Sequence, residues 1–215
     1  MTATTQRGKR AIVAAVLAAA AIALVAAGWF MLSPQAAPAA AAAVDMRGNP
    51  VVLDPDVTPV PEAEAVADIG ARFVAPSVSL DVPLGELSEV DGQITPPGFT
   101  SAYLVRNRGV APSDAAEGTV YVVMHSLRNG GVGPGNALFD VTDGSSRVAA
   151  GDTISVSGVE YTVESHEVIG KKELPTREDL WSSTPDRLVV ITCLQSPDGK
   201  PSTSNFVLIA QRTQQ

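Results

Sequence analysis

Beyond about residue 70, apolar positions come in short runs broken by turn signals, and no helical period persists for even a dozen residues. Strands are expected over 72–75, 78–82, 101–106, 119–125, 153–157, 161–168, 187–192 and 206–210, eight short segments that imply an all-β barrel or sandwich. Breakers separate them: Pro96-Pro97-Gly98, the glycine-rich stretch 128–135, Ala150-Gly151-Asp152 and Pro197-Asp198-Gly199. Helical turns are expected only around 136–141 and 176–181, where Thr176 can cap with Asp179 three residues on. Two runs, TVYVVMH (119–125) and RLVVITC (187–193), are apolar on both alternating faces, the pattern of strands covered on both sides. Val, Ile, Thr and Gly dominate this region, which favours strands over helices.

The N-terminal part follows another pattern. Arg7, Lys9 and Arg10 precede an uncharged run over 11–32, longer than the roughly 20 residues that cross a bilayer. The basic flank orients the N-terminus to the cytoplasm and the remainder outside, as a single-pass protein of the cell membrane. A cleaved signal peptide is the rival reading, since the Ala-rich stretch 36–43 can hold a cleavage site. Residues 33–69 are rich in Ala and Pro and read as an extracytoplasmic linker, with the folded domain over 70–215. The chain carries a formal charge of −8, and residues 33–215 alone carry −11, with 12 basic and 23 acidic residues. With no Lys/Arg cluster beyond Lys171-Lys172, nucleic acid is excluded as the expected partner.

Cysteine usage matters more. Cys193 is the only cysteine, so an exported chain cannot close an internal disulfide; the thiol is free, pairs with another molecule, or does chemistry. It ends the apolar run 187–193, and His125 ends the run 119–125, each followed by a polar loop. Strand ends are where a rigid scaffold presents reactive groups. A thiolate is the nucleophile, yet a free thiol with pKa about 8.5 is only slightly ionised at neutral pH, so a histidine partner supplies the activation and later the proton for a departing amine. A small buried hydrophobe is the alternative reading for Cys193, and a satisfied core or loop imidazole for His125. His166 shares the polar parity of Glu160, Thr162 and Glu164 and is expected to face solvent. One Cys and two His do not make a tetrahedral zinc shell, and no phosphate-binding glycine motif is present, so neither a metal nor a cofactor is expected.

In order along 71–210, the segments ARFVAPSVSLDVPL, DGQITPP, VVMHS with its Gly-Pro loop and NALFDV, AAGDTISVSGVEYTV and LVVITC resemble landmarks of actinobacterial sortases of the class E and F type. The resemblance implies a closed eight-stranded β-barrel outside the membrane. It also implies a cysteine transpeptidase that cuts a Leu-Pro-x-Thr-Gly-like signal at the C-terminus of a secreted protein and passes the acyl group from a thioester to an amine of a cell-wall precursor or a pilin. Carried over by motif, Cys193 matches the nucleophile, His125 the acid/base, and Thr192 lines the site. Two departures stand out. The family's catalytic arginine at the start of the next strand is missing, because 202–205 reads Ser-Thr-Ser-Asn, and Met124 stands where a glycine usually precedes the histidine. Arg212 lies at the far end of that strand and reads as a solvated terminal residue. Asn205, which can donate a side-chain N–H, and Arg128, three residues after His125, are the candidates for substrate contact in the arginine's place. The missing arginine also motivates the alternative of a catalytically impaired surface binding module.

Overall fold

The computed structural model describes residues 43–51 and 60–214; the stretch 11–32 expected to span the membrane lies outside them. Among the described residues no helix is long and apolar enough to cross a membrane. All eight expected strands form: β1 (Val66–Ala75), β2 (Leu80–Leu87), β3 (Ala102–Val105), β4 (Thr119–Met124), β5 (Thr153–Val156), β6 (Val159–Gly170), β7 (Arg187–Leu194) and β8 (Ser204–Arg212). They close into a barrel in the order β1-β2-β3-β4-β7-β8-β6-β5, with β1 and β5 antiparallel across the seam. Two neighbouring pairs run parallel, β2 with β3 and β4 with β7.

Alternation along β4 and β7 explains their doubly apolar sequences. Val120, Val122, Met124, Leu188 and Val190 join the core that also holds Phe73, Leu84 and Phe206. The opposite-parity residues Tyr121, Val123, Val189 and Ile191 join a second cluster, roofed by Leu174, Leu180 and Trp181 of the β6–β7 connection. Both faces of these strands are therefore dry, the environment that selects continuous apolar runs. The roof is pinned by polar contacts: the Tyr121 hydroxyl donates to the Leu180 carbonyl (2.7 Å), Trp181 Nε1–H to Leu174 O (2.7 Å), and the Arg187 guanidinium to the carbonyls of Asp179 (2.8 Å) and Leu180 (2.9 Å).

Three expectations need correction. The helical turn expected at 136–141 is a 3-10 turn at Pro134–Ala137, started by a proline suited to a first helical position. The short helix α1 (Glu178–Trp181) is not capped by Thr176, whose hydroxyl donates back to Glu173 O (2.8 Å); Arg177 instead holds Asp179 and Glu167. The stretch 33–69 is not wholly a linker. Within it, β1 begins at Val66, a 3-10 turn occupies Pro61–Ala63, and residues 43–51 form a small hairpin bridged at Val44 and Pro50. Composition concealed the hairpin because one residue organises it. The buried Asp45 carboxylate accepts N–H groups from Arg47 (2.8 Å), Asn49 (2.8 Å) and Val132 (3.1 Å) and the Asn49 side-chain amide (3.2 Å), while Met46 N–H donates to Val132 O (2.8 Å).

Burial alone raises the Asp45 pKa, but the hydrogen bonds from Asn49, Val132 and Arg47 outweigh it and hold the group at about 2, below its usual 3.8. A depressed carboxylate stabilises the fold above its unfolded value, and the contribution disappears as pH falls from about 4 through about 2. Asp45→Asn should therefore lower the thermal midpoint at pH 7 and flatten its decline across that acid window, and it should speed amide exchange at Val132. An unchanged acid profile in the variant is the result that removes Asp45 from this role.

Candidate active site

The ends of β4 and β7 build the site. Their parallel register pairs Tyr121 with Val189 and Val123 with Ile191. Continued by two residues, it sets His125 beside Cys193, on the parity of the outer cluster rather than that of the barrel interior. Both side chains line one cavity of about 530 Å³, with Ser126, Arg128, Lys171 and Gln195 among its other walls. Cys193 is half-buried and free. Past the last ladder bond, side chains hold the two strand ends together: the Ser126 hydroxyl donates to the Cys193 carbonyl, and the Gln195 amide donates to Ser126 O (3.0 Å) and Oγ (3.3 Å).

His125 is fixed from both sides. Its Nε2 lies 2.9 Å from the carbonyl of Pro96, and Phe99 packs on the ring with centroids 4.7 Å apart. A carbonyl only accepts, so Nε2 carries the proton and Nδ1 is the ring's acceptor. The Pro-Pro-Gly-Phe turn that reads as a simple breaker thus sets the tautomer of the site histidine. Burial pushes the imidazole below its ordinary pKa; the Pro96 carbonyl works against this, and the positive charge of Lys171 adds to it. His125 is accordingly neutral at pH 7.

The glycine loop supports His125 from behind. Gly135 N–H donates to His125 O (2.9 Å), and an added Cβ at Gly133 would lie 2.5 Å from that same carbonyl. At Gly135 it would meet the Thr192 hydroxyl at 2.0 Å, so only glycine permits the approach. Asn136 staples the loop: Oδ1 accepts from Leu127 N–H (2.7 Å) and Gly133 N–H (2.8 Å), and Nδ2 donates to Leu127 O (2.9 Å).

The other candidates divide. Arg128 lines the cavity. Thr192 does not: it is 2% exposed, packs beneath Gly135, and its hydroxyl has no partner among the described residues. Asn205 pairs directly across from Cys193 but is buried and forms no part of the cavity wall. Arg212 ion-pairs with Asp186 at the opposite end of β8. His166 is exposed; the register shift between Val163 and Ser165 turns its ring onto Phe206, with centroids 5.5 Å apart. Sequence reasoning missed Asp45, Ser126, Lys171 and Gln195, whose roles depend on contacts between segments far apart in the chain, and Asn136, whose contacts lie within its own loop. For Asn136, its place in the Gly-Pro-Gly-Asn turn was the available signal.

This arrangement suits acyl transfer. In such a transfer the thiol proton would pass to the ring, Cys193 Sγ would attack a carbonyl carbon, and the resulting imidazolium would return the proton to the departing amine.

No family model and no curated protein matches the chain. Among solved structures it is similar to sortase A of Listeria monocytogenes, at 20% identity over 69% of this chain and 89% of that one (TM-score 0.49). It is also similar to sortase C-1 of Streptococcus pneumoniae, at 14% identity over 74% and 70% (TM-score 0.47), and to sortase C-1 of Actinomyces oris, at 16% identity over 67% and 73% (TM-score 0.44).

Two outcomes follow from this geometry. Because the folded pKa of His125 is depressed, the unfolded chain binds the proton first as pH falls below about 6.5, so stability should drop with falling pH from there until the folded-state value is passed. Denaturation midpoints for His125→Gln should lose that part of the slope. Asn136→Ala, which orphans three backbone groups, should cost about 1–3 kcal/mol in urea unfolding and reduce thiol-dependent activity together with it.

Proposed function

We propose that this protein is a sortase-type cysteine transpeptidase. It cleaves a Leu-Pro-x-Thr-Gly-like signal at the C-terminus of secreted proteins through a thioester on Cys193, and passes the acyl group to an amine of a cell-wall precursor or a pilin. The observation that carries the reading is the β4–β7 register, which brings the sole cysteine and His125 to adjacent strand ends in one cavity. The ordered motifs over 71–210 support it as well. In this reading the stretch 11–32 anchors the protein in the cell membrane with the barrel outside, where the cleft meets exported substrates. One observation favours a second reading, a binding module with impaired catalysis: Asn205, and no arginine, stands across from Cys193.

Intact-mass measurement on the full chain in mild detergent, incubated with a pool of sorting-signal peptides with and without an added amine, separates the two. A thioacyl adduct on wild type and none on Cys193→Ala, with amine-dependent product, is the expected result. His125→Ala should slow adduct formation by roughly a hundredfold or more. A folded protein that binds peptide but yields neither adduct nor cleavage moves the assignment to the binding module.

A further inference from the structure

Thiolate attack on an amide puts negative charge on the carbonyl oxygen, and β8 carries no cation at its cleft end to meet it. At the cleft end β8 begins with Ser204 and Asn205, preceded by Ser202 and Thr203, while Arg212 pairs with Asp186 at the other end. The charged side chains that do line the cavity, besides the His125–Cys193 pair, come from three elements: Asp45 from the hairpin, Arg128 from the glycine loop, and Lys171 from the end of β6. The Asp45 carboxylate is occupied by its four hydrogen bonds. Lys172 and Lys200 lie outside the cavity wall, and Lys200 pairs with Asp198.

Lys171 differs from these. Its main chain is fixed, because Lys171 N–H donates to Thr203 O (2.9 Å) one step beyond the Gly170–Ser204 pair of the β6–β8 ladder. Its side chain is exposed and makes no ion pair among the described residues. The row of paired residues across the sheet reads Cys193 on β7, Asn205 on β8 and Ile169 on β6. Ile169 belongs to the outer cluster on whose face Cys193 also stands, and Lys171 is two residues further, on the same parity. Lys171, Cys193 and His125 line the same cavity, and the positive charge of Lys171 acts on the His125 imidazole.

We propose that Lys171 is a catalytic residue of the acyl transfer, its ammonium contacting the carbonyl oxygen of the scissile amide as that oxygen becomes negative. The inference rests on the transpeptidase reading. In the step concerned, the Cys193 sulfur forms a bond to the carbonyl carbon and the π electrons move to oxygen beside Lys171. Collapse then breaks the carbon–nitrogen bond, and the proton taken up by His125 leaves on the amine. Charge stabilisation at that oxygen is present only in the transition state and the tetrahedral intermediate, so it acts on kcat more than on KM.

The test compares wild type, Lys171→Met and Lys171→Arg as full chains in mild detergent. The first measurement is kcat and KM for cleavage of a Leu-Pro-x-Thr-Gly-like peptide. The second is the ratio of Cys193 alkylation rates with iodoacetate and iodoacetamide. In Lys171→Met, kcat should fall by roughly ten- to a hundredfold with KM little changed, and Lys171→Arg should recover most of it. The anionic-to-neutral alkylation ratio should fall by about threefold or more in the Met variant and not in the Arg variant. Cleavage by Lys171→Met within twofold of wild type overturns the proposal and leaves the transpeptidase reading intact, and so does an Arg variant as slow as the Met variant. If wild type itself forms no acyl-enzyme, the transpeptidase reading falls and this assignment falls with it.

Discussion

The parallel pairing of β4 with β7 is the constraint on which the rest of the molecule depends. Parallel neighbours cannot be joined by a tight turn, so the chain between them must leave the sheet and return, and here it builds β5, β6 and the roof over the outer cluster. That roof dries the second face of both strands. Drying fixes the register, because a slip by one residue would move Tyr121, Val123, Val189 and Ile191 to the wrong side. Register in turn decides that two residues 68 positions apart in the chain end side by side. The chemistry at the strand ends is thus a product of core packing at their middles.

Beyond the last ladder bond, order has to come from elsewhere. Ser126 and Gln195 tie the two exits together, the Pro96 carbonyl and the Phe99 ring hold the imidazole, and the glycine loop closes under it on the Asn136 staple. A histidine held by a carbonyl at one ring nitrogen and an aromatic ring on its face has little rotamer freedom left to lose. Its neutral state at pH 7 follows from the same enclosure, since the apolar ring that orients it also withholds solvent from its charged form.

The strands were legible in the sequence because each carries its own period and its own breakers, and all eight segments expected from 72 onward are present. The doubly apolar runs 119–125 and 187–193 also announced correctly that both of their faces would be covered. His125 and Cys193 were legible as strand-end residues; that they meet was not, since it follows from a pairing with no local signal. Thr192 was misjudged because its neighbour's position at the cleft says nothing of its own: adjacent strand residues face opposite sides, and Thr192 faces the interior. The Asp45 hairpin was hidden by the Ala- and Pro-rich composition around it. A single carboxylate gathering several N–H groups leaves no periodicity to read.

That hairpin changes what counts as the folded unit. A shortened chain beginning near residue 70 would look complete by its strands, but it would lose the first residues of β1 and one wall of the cleft. Val132 N–H and C=O would lose the Asp45 carboxylate and the Met46 N–H, and the loop beneath His125 would gain freedom. Rates and specificities measured on such a fragment would describe a wider, wetter groove than the one this sequence encodes. The residues that lead into the barrel help to mould the cleft itself.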